Sequence, residues 1–131
     1  MIVVDSSALI AILLSEPESE NFFNIISLAD ETVMSSANLV EAGIVIESRN
    51  GIIGSQSLDS LIAELELEII SFTKEQAEIA RKAFMIYGKG RHPAGLNICD
   101  CYAYALAKDY DAPLLFKGND FSQTDIKIAK P

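Results

Sequence analysis

The segment from Leu96 to Asp120 reads LNICDCYAYALAKDYDAPLLFKGND and joins a helical pattern to a strand pattern. Its first half is rich in Ala and Leu and starts at Asn97, which suits a helix cap, so the segment predicts a helix with Asp100 in or near its first turn. Leu114 to Phe116 is a short apolar run typical of a buried strand, and turn-forming residues follow it. Asp120 therefore lies just past the carboxyl end of a strand.

The rest of the chain also alternates strand and helix patterns. In a parallel sheet flanked by helices, ligands bind at the carboxyl ends of the strands, and the amino end of a neighbouring helix can face the same crevice. Asp100 and Asp120 are therefore expected at one edge of a sheet. Further strands are predicted at Ile2 to Val4, Thr32 to Ser35, Glu68 to Phe72 and, as an edge strand, Ile126 to Ala129.

Caps and apolar periodicity predict six helices. They run from a cap at Ser6 or Ser7 to the break at Ser15, from Pro17 to about Leu28, from Ser36 to about Arg49, from Ser57 to about Leu67, from Thr73 to about Tyr87 and from Asn97 to Lys108. The glycines of Asn50 to Gly54 and of Gly88 to Gly95 predict loops.

Length and composition favour a single domain over residues 1–131. Half of the 131 residues are apolar, and a chain of this length buries roughly two thirds of its unfolded surface. The longest apolar run, Ala8 to Leu14, is far shorter than the roughly 20 residues that cross a bilayer, so a soluble, cytoplasmic protein without membrane contact is expected. Cys99 and Cys101 are two apart on a helix and point to different faces, which favours core packing in a reducing compartment over a disulfide or a zinc site.

The net charge of −9 argues against nucleic-acid binding through a broad basic surface, because phosphate contacts need clustered Lys and Arg. It is compatible with a nuclease, because divalent cations bound by acidic residues reverse the local field that a phosphodiester meets. An acidic exterior also favours a basic protein partner.

Four acidic residues share one kind of position: Asp5, Glu41, Asp100 and Asp120 each follow a predicted strand, directly or on the next helix. A lone Glu such as Glu41 more often faces solvent, and its position relative to the other three acids is what favours a site. Such a cluster is unfavourable unless cations neutralise it, and oxygen ligands without paired Cys or His select Mg²⁺ or Mn²⁺. The chemistry implied is phosphoryl transfer, with an ion-activated water.

These residues occur in stretches that resemble the PIN-domain family, and specifically the VapC-type toxins of toxin–antitoxin pairs, over essentially the full length. The matching stretches are Val3 to Leu9, Glu41, Leu96 to Ala105 and Leu114 to Phe121. The resemblance implies a three-layer α/β/α sandwich with a mostly parallel sheet and a Mg²⁺- or Mn²⁺-dependent endoribonuclease. It also implies inhibition by a cognate VapB-like antitoxin, a homodimer, and an RNA substrate, with tRNA and rRNA as candidates.

The resemblance carries over to individual residues. It implies that Asp5, Glu41 and Asp100 are metal-binding and catalytic acids, that Asp120 is the more variable fourth, and that Ser7 supports Asp5. Asn119, beside Asp120, is a further supporting candidate. Asp125 is a weaker acidic candidate and His92 is left without a role. Arg49, Lys89, Arg91 and Lys117 are the candidate RNA contacts.

Two other interpretations remain open from the sequence. A receiver-like signalling domain would be similar in size, acidic and magnesium-binding, but it needs paired acids after the first strand and an Asp after the middle one. Asp5 stands alone, and no Asp follows Ile70 directly. A PIN domain that binds without catalysis is the second alternative, and the intact acids weigh against it.

Overall fold

The computed structural model describes residues 1–130 and has a four-stranded parallel sheet at its centre. Its strands are β1 (Ile2–Val4), β2 (Thr32–Ser35), β3 (Glu68–Ile70) and β4 (Leu114–Leu115). Its helices are α1 (Ser6–Leu13), α2 (Ser19–Leu28), α3 (Ser36–Glu64), α4 (Lys74–Tyr87) and α5 (Ile98–Asp109), and a short 3₁₀ helix covers Phe121–Gln123.

Side chains that alternate along each strand build a core on each side of the sheet. Val3 of β1 and Leu114 of β4 pack with α4 and α5 on one face. Val4 and Leu115, the next residues along, pack with α1, α2 and α3 on the other face. Because both faces are buried, the strands are apolar throughout, as expected for a parallel sheet. The three-layer α/β/α architecture expected from the sequence is confirmed.

The order of the strands determines where a site can form. The order is β3-β2-β1-β4, with Val3 opposite both Val33 of β2 and Leu114 of β4. The chain therefore steps outward from β1 through β2 to β3, and then returns to the other side of β1 for β4. At such a reversal the connections leave β1 and β4 in opposite directions, which opens a crevice at their carboxyl ends. Asp5 follows β1 directly, and Lys117 to Asp120 follow β4.

The loop predicted at Asn50 to Gly54 is wrong, because α3 continues through it as two helical arms. Gly51 lies between them with φ 64° and ψ −150°, a backbone conformation open almost only to glycine. At Gly54 a Cβ atom would lie 2.8 Å from the Ile46 carbonyl oxygen. The two glycines therefore permit a sharp kink and a close approach, where the sequence pattern indicated a break.

Two predicted boundaries near the amino end are also corrected. Asp5, rather than Ser6 or Ser7, caps α1, and its side chain accepts a hydrogen bond from the Ser7 backbone N–H at 3.1 Å. Pro17 lies in the turn before α2, which begins at Ser19. The caps predicted for the later helices are confirmed: Thr73 accepts from the Gln76 N–H, and Asn97 forms a capping box with Asp100.

The edge strand predicted at Ile126 to Ala129 is reduced to one parallel bridge, between Leu114 and Ile128. Two backbone hydrogen bonds of 2.9 Å form it, from Leu114 N–H to Lys127 and from Ala129 N–H to Leu114. β4 itself has only two residues, so it offers little edge to extend. Among residues 1–130, no helix combines the length and apolarity that a membrane crossing requires.

Candidate active site

The four acids predicted from the sequence lie together at the carboxyl edge of the sheet. The charges of Asp100 and Glu41 both act on the Asp5 carboxyl, and the charges of Asp120 and Glu41 act on Asp100. Each comes from a different part of the fold. Asp5 follows β1, Glu41 lies in the second turn of α3, Asp100 lies in the first turn of α5, and Asp120 precedes the 3₁₀ helix.

Asp5 is the buried centre of this cluster. Its Oδ2 accepts hydrogen bonds from the Ser7 N–H at 3.1 Å and from the Ser7 hydroxyl at 2.5 Å. The Ser7 hydroxyl oxygen also accepts the backbone N–H of Lys117 at 3.0 Å. Ser7 therefore joins the acid after β1 to the segment after β4, across the crevice between the two strands.

Glu41 is positioned by donors from two helices. Its Oε1 accepts a hydrogen bond from the Ser6 hydroxyl and a second from the Asn38 amide at 3.3 Å. Burial, with the charge of Glu41 adding to it, raises the pKa of the Cys99 thiol to about 11. Glu41 is half-buried, so it is directed into the site and does not face bulk solvent.

Asp100 is fixed by the capping box of α5. Its Oδ2 accepts the Asn97 backbone N–H at 2.9 Å, while its own N–H donates to the Asn97 side chain at 2.8 Å. Placement at the amino end of a helix favours a carboxylate through the helix dipole. Asp120 is exposed and has no capping hydrogen bond of its own, so it is the least constrained of the four acids.

Burial and mutual repulsion dominate the electrostatics of the cluster. Burial raises the pKa of Asp5 to about 7 against the opposing hydrogen bonds from Ser7, with further contributions from Asp100 and Glu41. Burial also raises the pKa of Asp100 to about 6, with Asp120 and Glu41 adding to it. Carboxyls with such raised pKa values bind protons readily, and a cation can take the place of the protons.

The neighbouring cation does not neutralise these acids. Lys117 follows β4, but its Nζ lies 3.2 Å from Glu16 and 3.5 Å from Glu18, in the turn between α1 and α2. Among residues 1–130, Asp5, Glu41 and Asp100 form no ion pair. Clustered, desolvated carboxylates without a basic partner are the setting in which proteins bind divalent cations.

The donor set fits a hard divalent cation in its chemistry, since all four groups offer carboxylate oxygens. Asp5 and Asp100 each use Oδ2 for their recorded hydrogen bonds, which leaves Oδ1 as the oxygen that can turn toward a cation. Within residues 1–130, however, no three acidic, Cys or His side chains are close enough to hold one ion as they stand. Coordination would therefore require the side chains to move closer together.

Other candidates from the sequence have different surroundings. The backbone oxygen of Asn119 accepts from the Ser122 hydroxyl at 2.7 Å and so shapes the turn that carries Asp120, while a role for its side chain stays a prediction. Asp125 accepts from the Tyr104 hydroxyl at 2.6 Å and from Lys108 Nζ at 2.9 Å, which clips the carboxyl-terminal segment to α5. These contacts give Asp125 a structural position apart from the cluster.

His92 has a structural position as well. Its Nδ1 accepts the Ala94 N–H at 3.0 Å, and its ring packs edge-on against Tyr87 with 5.1 Å between the ring centroids. The bond closes a turn inside the loop between α4 and α5.

Sequence reasoning missed three residues around Glu41: Ser6, Asn38 and Cys99. Ser6 was considered only as a helix cap and Cys99 only as core packing, whereas the Ser6 hydroxyl donates to Glu41 and the Cys99 backbone oxygen accepts from Asn38. The spacing of Asn38 and Glu41, three residues apart on one helix, is the signal that could have identified Asn38. Contacts that join α1 to α3 or α5 to α3 leave no such signal in the local sequence.

Comparisons with known proteins identify the family of the chain and its fold. The PIN-domain family profile matches residues 2–127. The VapC ribonuclease Mb0640 of Mycobacterium bovis is 44% identical over 124 residues, which cover 95% of this chain and 95% of the relative. The crystal structure of Mycobacterium tuberculosis VapC20, a sarcin-ricin loop cleaving toxin, has the same fold with a TM-score of 0.81, 15% identity and full coverage of both chains.

A further solved structure with this fold is VapBC2 from Rickettsia felis, bound to a DNA fragment from its promoter. Its TM-score is 0.75 at 18% identity, and the match covers 98% of this chain and 96% of the other. The family profile covers residues 2–127, a range that contains the four strands and the four acids, and the 44% identity extends over 95% of the chain. The chain belongs to the PIN-domain family, among its VapC proteins.

Proposed function

We propose that this protein is a Mg²⁺- or Mn²⁺-dependent endoribonuclease and the toxin of a VapBC-type toxin–antitoxin pair. The observation that carries the proposal is the cluster of Asp5, Glu41, Asp100 and Asp120 at the crevice between β1 and β4. Among residues 1–130, no Lys or Arg side chain pairs with Asp5, Glu41 or Asp100. The chain belongs to the VapC proteins, and its similar relative is named a ribonuclease, which supports RNA as the substrate.

In this proposal Asp5 and Asp100 are the principal ligands, and Glu41 and Asp120 complete the set. A divalent cation bound there would supply an activated water and neutralise charge on the phosphodiester. Ser7 orients Asp5 through Oδ2, and the capping box orients Asp100, so each carboxylate is held before RNA arrives. These bonds limit how far the two carboxylates have to move to coordinate a cation.

The products follow from the residues available as general bases. The chain has a single histidine, and His92 already accepts a hydrogen bond from the Ala94 N–H. No histidine pair is therefore available to activate the ribose 2′-hydroxyl. Attack by water should make the 3′ oxygen the leaving group, which gives 5′-phosphate and 3′-hydroxyl ends.

The test is to incubate total RNA with the purified protein in Mg²⁺, in Mn²⁺ and in EDTA, and to map the new ends. Fragments with 5′-phosphate and 3′-hydroxyl ends that form only with the metal support the proposal. Cyclic phosphate ends, or cleavage that persists in EDTA, contradict it. The same end map decides between tRNA and rRNA as the substrate.

Bases and phosphates of the RNA need contacts outside the acidic cluster. Of the candidate cations, Lys117 is held by Glu16 and Glu18, whereas Lys89 and Arg91 are exposed and lack an ion-pair partner among residues 1–130. We propose Lys89 and Arg91 as phosphate contacts, because their loop is pinned at its base next to α5 by the Lys89 N–H to Leu96 bond of 2.9 Å. Arg49, exposed on α3, remains a candidate.

The double variant Lys89→Ala/Arg91→Ala should raise KM for RNA and flatten its salt dependence, with kcat little changed. Lys127→Ala is the matched control, because Lys127 pairs with Asp111 at the opposite end of β4. An unchanged KM in the double variant would move the RNA contacts elsewhere.

We propose that the antitoxin binds beside α1 and α2, because Ile12, Leu13, Phe22 and Phe23 give these two short helices more apolar surface than their own packing needs. Phe22 is buried in the core, so it cannot contact the antitoxin. Ile12, Leu13 and Phe23 are half-buried. On the first arm of α3, which packs against α1, Val40 and Ile44 are each 61% exposed. Asp substitutions at Val40 and Ile44 should weaken antitoxin binding, and unchanged binding would place the antitoxin on another surface.

A homodimer is proposed through the groove between α4 and α5. This groove has a volume of about 510 Å³, is almost entirely apolar, and includes Met85 and Ile98, each 65% exposed. Large exposed apolar patches are typical of interaction surfaces. Met85→Glu should therefore convert a dimer into a monomer in analytical ultracentrifugation, with Lys82→Glu as an exposed control on the same helix. A wild-type monomer would contradict the proposal.

A further inference from the structure

The amide of Asn38 joins two elements that carry acids of the site. Asn38 lies in the first turn of α3 and is completely buried, with 0% of its surface exposed. Its Nδ2 donates to Glu41 Oε1 at 3.3 Å and to the backbone oxygen of Cys99 at 3.0 Å. Cys99 directly precedes Asp100 in the first turn of α5, so a single NH₂ group spans the helix of Glu41 and the helix of Asp100.

The other half of the same amide makes no such contact. Asn38 Oδ1 is buried and has no hydrogen-bond partner among the described residues. A buried, unpaired carbonyl oxygen disfavours folding, and an apolar residue of similar volume would avoid that cost. Stability alone therefore does not account for an amide at this position, whereas its two donated bonds do.

Glu41 depends on these donors for its orientation. Its Oε1 receives the Ser6 hydroxyl from α1 as well as the Asn38 amide, so the carboxylate is held from two directions. Ser6 is also buried, with 3% exposed. Residues that orient ligands in this way affect metal affinity and activity without touching the substrate.

We propose that Asn38 is a positioning residue, which holds the Glu41 carboxylate at a set spacing from the first turn of α5 and thus from Asp100. This inference rests on the proposed function. It predicts that Asn38→Leu, which keeps the volume and removes both donated bonds, lowers Mn²⁺ affinity and kcat by roughly 10–100-fold, with KM for RNA little changed. The free energy of unfolding of Asn38→Leu should change little, because removal of the buried, unpaired Oδ1 offsets the loss of the two donated bonds.

Gln76 offers a matched control in the same chain. It too is a buried amide, 1% exposed, with an unpaired Oε1, and its Nε2 donates to Asp109 at 3.1 Å near the far end of α5. Gln76→Leu should leave both Mn²⁺ affinity and kcat unchanged. A loss of activity in both variants alike would assign Asn38 a purely structural role and overturn the proposal.

A double-mutant cycle with Glu41 gives a result that a structural role would not produce. If Asn38 acts through Glu41, then Asn38→Leu should change little further in a Glu41→Gln background, because the two losses are coupled. Full additivity of the two losses overturns the proposal. Should Asn38→Leu fail to fold, Asn38→Ala, which removes the same donors without adding volume, replaces it in the cycle.

Mn²⁺ binding, followed by electron paramagnetic resonance, separates this inference from the proposed function. If the wild-type protein cleaves no RNA, the ribonuclease proposal fails, and the Mn²⁺ titration alone decides the role of Asn38. If the wild-type protein is active but Asn38→Leu keeps its Mn²⁺ affinity and kcat, only the positioning role fails.

Discussion

Replacing Asp5 with Asn should stabilise the metal-free protein, and the gain should grow with pH. Burial raises the pKa of Asp5 from 3.8 to about 7, although Ser7 donates two hydrogen bonds to its carboxylate. Because the folded pKa lies above the unfolded value, the stability associated with this carboxyl is fully present below about pH 4. It is lost as the pH rises through 7.

The size of the effect follows from the difference between the two pKa values. A difference of about 3 units at 1.36 kcal/mol per unit gives an upper limit of about 4 kcal/mol above pH 7. Asn keeps the cap of α1 and can still accept from Ser7, but as a neutral acceptor it gives up about 1 kcal/mol of hydrogen bonding. The net gain expected at pH 8 is therefore about 2–3 kcal/mol.

The assay is urea unfolding in EDTA at pH 5.5 and at pH 8. By linkage, the stability difference between Asp5→Asn and wild type should be about 2 kcal/mol larger at pH 8 than at pH 5.5. Asp59→Asn, an exposed acid on α3, is the control and should change stability by less than about 0.5 kcal/mol. Added Mg²⁺ should stabilise the wild type more than Asp5→Asn. An Asp5→Asn protein that is no more stable at pH 8 would refute the reasoning.

Two further predictions concern the fold around the site. Gly51→Ala should destabilise by about 1–3 kcal/mol in urea unfolding, because φ 64° and ψ −150° strain any residue with a Cβ atom, whereas Gly43→Ala, in open helix, should be neutral or stabilising. Equal effects would show that the kink is not strained. Tyr104→Phe should cost about 1 kcal/mol through loss of its bond to Asp125, and Tyr110→Phe, an exposed control, should cost nothing measurable.

The parts of the fold that the sequence predicted well are those set by local pattern. Ile2 to Val4 and Thr32 to Ser35 are apolar runs next to capping residues, and they form β1 and β2 within the predicted bounds. The cap at Asn97 likewise placed Asp100 in the first turn of α5, where a capping box holds it. Local rules succeed here because the apolar run of a strand and the cap of a helix are each made by residues only a few positions apart.

The parts that were missed depend on contacts between distant residues. Asn50-Gly51 is a turn signal in most settings, and only packing between the two arms of α3 explains why helix resumes at once on its far side. The sequence gives no sign that Lys117 forms ion pairs with Glu16 and Glu18, which lie about a hundred positions earlier. The hydrogen bond from the Asn38 amide to the Cys99 backbone oxygen joins α3 to α5 in the same way. The spacing of residues along the chain does not indicate which distant residues will be in contact.

The central claim is that the clustered carboxylates hold the metal on which RNA cleavage depends. The most direct measurement is the rate of RNA cleavage by wild type and by Asp100→Asn at saturating Mg²⁺, with circular dichroism to verify that the variant is folded. Removing a ligand should cost more than the roughly 10–100-fold typical of an outer-shell partner, and EDTA should abolish wild-type cleavage. Folded Asp100→Asn that cleaves at the wild-type rate would contradict the account.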